Sequence, residues 1–130
     1  MLTAVFPPSL SLDCGPVTAV DLSLYAAASG DHNPLHLDES VARGAGFDRP
    51  VVHGMLSMAY LGRLLTQHFG ATSVVHLQTR FTGVAHRGDT LSLSATLDKT
   101  DGGLGHYSLK LTNDKQQALA TGTAHIQPRA

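Results

Sequence analysis

The chain predicts an α+β fold in which an antiparallel β-sheet wraps around one long central α-helix. Three observations carry that class. Residues 53–69 hold Met55, Leu56, Met58, Leu61, Leu64, Leu65 and Phe69 ahead of Gly70, the spacing of a long, mostly buried helix. From Ser73 onward the apolar period drops to two, in several strand-length segments. Short turn signals separate those segments, so consecutive strands are expected to pair antiparallel.

The elements follow in order. From Ala4 to Leu12 the chain is apolar, but Pro7 and Pro8 limit it to an edge strand or an irregular lead-in. Asp13-Cys14-Gly15-Pro16 reads as a turn. Thr18 with Asp21 forms a capping box for a short helix carrying Val20, Leu22, Leu24 and Tyr25. The small run Ala26 to Ser29 ends it, and Gly30 stops it. Pro34 fixes its own φ and pushes Asn33 toward an extended conformation, so Asp31 to His36 reads as a rigid turn and not a regular helix. Asp38 caps a further short helix through Val41 and Ala42, closed by Gly44. Gly44, Gly46 and Pro50 bracket a connection containing Phe47, Asp48 and Arg49.

The long helix comes next. Its polar residues Ser57, Arg63, Thr66, Gln67 and His68 do not gather into one broad wet face, so other structure is expected to wrap it. The strands supply the wrapping. Val75, Leu77 and Phe81 alternate with His76, Gln78 and Arg80. Leu91, Leu93, Ala95 and Leu97 alternate with Ser92, Ser94 and Thr96. Asp101-Gly102-Gly103 is a strong turn signal, and Tyr107, Leu109 and Leu111 follow in alternation. Asn113-Asp114-Lys115 makes the next turn. A last strand runs from Ala118 to Ile126, with Ala120, Gly122 and Ala124 on one face.

Bulk properties narrow the function classes. The 130 residues suit a single domain, 1–130, with a real core. A net charge of −1 gives no reason to expect nucleic-acid or membrane-surface binding. No apolar run reaches the roughly 20 residues of a membrane span, and the N-terminus lacks the pattern of a signal peptide. One cysteine, Cys14, excludes an internal disulfide framework and fits a reducing compartment, so a cytoplasmic protein is expected. Cys14 itself reads as an ordinary small residue beside a turn.

Two stretches carry chemistry. Ser29-Gly30-Asp31-His32-Asn33-Pro34-Leu35-His36 sets a carboxylate and an imidazole five residues apart around a proline. At neutral pH such a pair can take a proton from water and deliver it elsewhere. Pro50-Val51-Val52-His53-Gly54-Met55 then leads through a glycine into the long helix. The first N–H groups of a helix lack partners within it and face outward at its positive end. A glycine there lets a ligand oxygen approach the backbone, so Gly54 is a candidate anion hole.

These two stretches together resemble the MaoC-like, (R)-specific enoyl-CoA hydratases, a family with the hot-dog fold. The resemblance covers almost the whole chain and is strongest from about Ala26 to Leu65. It implies that Asp31 and His36 of the D-x-N-P-x-H pattern share the catalytic water. It matches Asn33 to the motif's Asn and Gly54 to the anion-hole glycine. Phe81-Thr82-Gly83-Val84-Ala85-His86-Arg87-Gly88-Asp89 resembles the family's F-x-x-P-V-x-x-G-D turn, with Val84 where proline is usual. The implied reaction is reversible addition of water to a trans-2-enoyl thioester, with acyl-CoA as substrate and no cofactor. Dehydration on a carrier-protein thioester, thioester hydrolysis and a non-catalytic binding role are the alternatives. Hot-dog proteins of this length usually form dimers, so a homodimer is expected.

Each residue also has a plainer reading. Asp31 could satisfy turn N–H groups, and His36 could be a satisfied buried histidine. Asn33 reads as an orienting residue that holds the turn. His53 could cap the helix or line a pocket, and Ser57 could touch a ligand or simply pack. A metal site is not expected, because Pro34 breaks the His32/His36 spacing and no metal motif appears. Arg43, Arg49, Arg63, Arg80 and Arg87 are the basic residues available to the CoA nucleotide. Gly62, Leu65 and the Phe47 segment are the expected neighbours of the acyl chain.

Overall fold

The computed structural model describes residues 5–128. Ala4, where the expected lead-in begins, lies outside them. Strand β1 (Ser9–Cys14) starts directly after Pro7-Pro8 and sits at a sheet edge, where missing N–H donors cost least. Helix α1 (Ala19–Ser29) opens with the Thr18/Asp21 capping box and ends at Gly30, whose φ of 79° is left-handed. A single 3-10 turn spans Pro34–His36, with Pro34 at its start. Helix α2 (Glu39–Gly44) is capped by Asp38, which accepts from the N–H groups of Ser40 and Val41. The Ser40 hydroxyl donates to the same carboxylate, and this bond first, then the two N–H bonds, hold the Asp38 carboxyl below its ordinary value.

Helix α3 (Gly54–Phe69) is the long element, and four strands follow: β2 (Val74–Phe81), β3 (Leu91–Asp101), β4 (Leu104–Thr112) and β5 (Ala118–Ile126). The sheet order is β1-β3-β4-β5-β2, antiparallel throughout. Leu91, Leu93 and Ala95 of β3 meet Tyr107, Leu109 and Leu111 of β4 and Ala120, Ala124 and Ile126 of β5 on the inner face. Leu61, Leu64 and Leu65 of α3 press into that face. Each fully buried leucine contributes about 1.5–3 kcal/mol. Gly122 fits because a Cβ there would collide with the Gln78 carbonyl of β2. Cys14 is buried beside its turn, and burial pushes its thiol up, away from reactivity.

Two expectations are corrected. Helix α3 is not wrapped on every side: Met55, Ala59, Arg63 and Gln67, spaced by four, form an exposed stripe. Two of the four are apolar, which hid the stripe from a polarity pattern. In β2 the register slips between Val74 and His76, so Val74 faces the core and Val75 stays half-exposed. Strict alternation from Val75 therefore fails at the strand's start. Among the described residues, no helix is long and apolar enough to cross a membrane.

Candidate active site

The turn after α1 holds Asp31 by its own backbone. Asn33 N–H donates to Asp31 Oδ1 at 3.2 Å, and Asn33 Oδ1 accepts from Leu35 N–H at 3.0 Å. Asn33 thus orients the turn, as its place before Pro34 suggests. The second carboxylate oxygen, Asp31 Oδ2, lies 3.6 Å from His36 Nε2.

His36 is fixed from its other nitrogen. Nδ1 lies 2.8 Å from the Val51 carbonyl, which can only accept, so Nδ1 carries the hydrogen. In the neutral ring Nε2 then presents a lone pair toward Asp31. Two acceptors 3.6 Å apart share no hydrogen bond, and a water that donates to both is the natural bridge. His36 is mostly buried, whereas the Asp31 side chain is half-exposed.

His53 does not cap α3: its side chain makes no cap hydrogen bond. It turns the other way, and Nε2 donates to the Asp31 backbone carbonyl at 3.1 Å. Its ring stacks on His36 with centroids 3.8 Å apart, and Tyr25 meets it edge-on at 4.9 Å. Burial pushes the His53 pKa below its ordinary value, against the smaller opposing effect of its bond to Asp31. His53 is 1% exposed, and its Nδ1 has no partner among the described residues.

Gly54 is the first residue of α3 and borders a cavity of about 230 Å³. Leu35, Val51, Ser57 and Phe81 also line it, with Leu111 and Leu119 among its apolar walls. A Cβ at Gly54 would meet only the Phe81 ring, at an ordinary 3.5 Å. Packing alone therefore does not demand glycine here. Ser57 is buried and lines the cavity one turn along. Phe47 joins the lining, but Gly62 and Leu65 do not; Gly62 packs against Leu77 of β2.

Ligand atoms of Asp31, His36 and His53 lie within 4.8 Å of one another. One ring nitrogen of each histidine is held by a backbone carbonyl, which leaves the other free. Of the arginines, Arg43 and Arg87 pair with Glu39 and Arg49 pairs with Asp89. Among the described residues, Arg63 and Arg80 have no ion-pair partner.

Sequence reasoning grouped Asp31, Asn33, His36 and Gly54: the fold brings the first three together in one turn, while Gly54 and Ser57 line the cavity with Leu35 and Val51, the neighbour and the hydrogen-bond partner of His36. It missed Val51, which acts through its carbonyl and so has no residue-type signature.

A family model described as the MaoC like domain matches residues 11–116. The probable enoyl-CoA hydratase 2 of Dictyostelium discoideum is 29% identical over 108 residues, which cover 81% of this chain and 36% of that protein. The (R)-specific enoyl-CoA hydratase of Aeromonas caviae is 41% identical over 59 residues, 45% of this chain and 44% of that one. The chain thus spans less than half the length of these two curated relatives. The solved structure of R-hydratase PhaJ1 from Pseudomonas aeruginosa superposes with a TM-score of 0.85 at 26% identity, covering 92% of this chain and 79% of that one.

Proposed function

The chain belongs to the MaoC-like domain family and has the hot-dog fold, and from that premise we propose that it is an (R)-specific enoyl-CoA hydratase. The observation that carries this reading is the Asp31 Oδ2–His36 Nε2 pair, two acceptors 3.6 Å apart, with His36 held by Val51, which lines an apolar cavity together with Gly54 at the start of α3.

A water donates one hydrogen to each acceptor. The trans-2-enoyl chain occupies the cavity, with its thioester oxygen on the Gly54 N–H. As the water oxygen bonds to C3, the pair takes a proton from it, and the C2=C3 π electrons move into the thioester as an enolate. The pair returns a proton to C2, so one water is added and no redox change occurs. That balance calls for no cofactor. Asn33 keeps the carboxylate in place, and Val51 keeps Nε2 free to accept. The reverse direction dehydrates a 3-hydroxyacyl thioester at the same site.

On the same reading the chain acts as one domain, 1–130, and as a homodimer joined along a sheet edge. Exposed Val75 and Phe81 on edge strand β2 support that contact. The single buried cysteine supports a cytoplasmic setting.

Crotonyl-CoA tests the reaction. Purified protein should remove the conjugated enoyl absorbance without releasing free thiol. Release of CoA thiol would instead identify a thioester hydrolase.

A further inference from the structure

His36 is aimed by one backbone carbonyl, so whatever holds that carbonyl also aims His36. Val51 makes two bonds to the 3-10 turn. Its N–H donates to the Leu35 carbonyl at 3.1 Å, and its carbonyl accepts from His36 Nδ1 at 2.8 Å. Val51 lies in a short extended segment that bridges antiparallel to His86. Val52 N–H donates to the Ala85 carbonyl at 2.8 Å, and Arg87 N–H donates to the Pro50 carbonyl at 2.9 Å.

Asp89 secures the other half of this bridge. One carboxylate oxygen accepts from His86 N–H at 2.8 Å, and the other accepts from Arg49 Nη2 at 3.3 Å. Arg49 Nη1 donates to the Arg87 carbonyl at 2.7 Å. Arg49 stands two residues before Val51, so its guanidinium ties both extended segments together. The Asp89 side chain is 11% exposed, and a carboxylate that dry is tolerated only with its oxygens engaged, as they are here. Gly88 leaves the room: its φ is +93°, and a Cβ would sit 3.0 Å from Arg49 Nη1. The Gly88-Asp89 pair, which reads in sequence as a plain turn, therefore has a second use.

We infer that Asp89 and Arg49 form a strap that positions His36 through the Val51 carbonyl. Both are positioning residues, since no contact joins either to the Asp31–His36 pair. Without the strap the 85–87 segment slackens, Val51 drifts, and His36 loses the bond that fixes its tautomer and direction. A misplacement of about 1 Å at a reacting group can cost about 10²-fold in rate.

The kinetic half of the test rests on the hydratase reading, and the spectroscopic half does not. Asp89→Asn removes the charge and keeps the shape. Arg49→Met removes the guanidinium from a half-exposed position and is the variant that folds if Asp89→Asn does not. Nitrogen-15 NMR of the histidine rings, with His36 assigned by loss of its signal in His36→Gln, reports the Nδ1–H. Its exchange with water should quicken at least about tenfold in each folded variant, the size expected for losing one hydrogen bond. On crotonyl-CoA, kcat should fall by about 10- to 100-fold with KM nearly unchanged. Arg49→Lys keeps a charge but cannot span both partners and should recover only part of the loss. An unaltered His36 Nδ1–H in Arg49→Met would overturn the inference and leave the strap a stability feature. If the wild type does not hydrate enoyl thioesters, the hydratase reading fails, and ring exchange still decides the positioning role.

Discussion

His36 and His53 stack with ring centroids 3.8 Å apart and planes 22° from parallel. They are also divided in task. His36 uses its Nδ1 on Val51 and frees Nε2 toward Asp31, while His53 uses Nε2 on the Asp31 backbone. One ring faces the Asp31 carboxylate, and the other touches both residues.

That support depends on pH. Burial lowers the His53 pKa in the folded protein, so folding favours its neutral form. A histidine depressed in this way contributes stability that is present above its unfolded value of about 6.5 and is lost as pH falls through the folded value. Thermal unfolding followed from pH 8 to pH 5 should show the midpoint dropping on acidification. His53→Gln retains a donor and removes the titration, so its midpoint should fall less steeply. Equal slopes would show that His53 does not titrate in this range.

Replacing Asp31 by Asn, or His36 by Ala, should lower kcat on crotonyl-CoA by about 10²–10⁴-fold, the usual weight of general acid–base groups. Both exchanges fall between α1 and α2, outside the long helix and the strand ladders, so circular dichroism should be unchanged. Wild-type rates in either variant would remove that residue from the reaction.

The anion hole proposed at Gly54 has a selective probe. Gly54 is the first residue of α3, a position that accepts proline, and His53 already has the extended φ of −54° and ψ of 131° that a following proline requires. Gly54→Pro therefore deletes the N–H while keeping the helix start. A loss of about 10²–10³ in kcat is expected. Gly54→Ala retains the N–H and places its Cβ 3.5 Å from Phe81, so it should retain far more activity. Equal losses in the two variants would point to crowding and away from a lost donor.

Placing the acyl chain in the cavity predicts a length effect. Ala120 is fully buried in its wall beside Leu111 and Leu119. Ala120→Leu should cut kcat/KM for an octenoyl thioester more than for crotonyl-CoA. A uniform loss across chain lengths would place the chain elsewhere.

Much of this architecture is legible in the sequence, because local chemistry writes it. Thr18 with Asp21, Gly30, Asp38 and the Asp101-Gly102-Gly103 turn each act within a few residues of themselves. Pro34 makes the Asp31–His36 spacing a geometric statement. Other features depend on distant partners. The bond from His53 to Asp31 spans 22 residues, and that from Arg49 to Asp89 spans 40. The slip at Val75 reflects pairing with β5, and the exposed stripe of α3 is partly apolar. None of these has a periodic signature.

The configuration of the hydrated product tests the central claim most directly. Wild-type protein incubated with crotonyl-CoA should yield (R)-3-hydroxybutyryl-CoA on chiral analysis after thioester cleavage, and the Asp31→Asn variant should yield almost none. The (S)-alcohol, or equal product from the variant, would contradict addition of water by the Asp31–His36 pair.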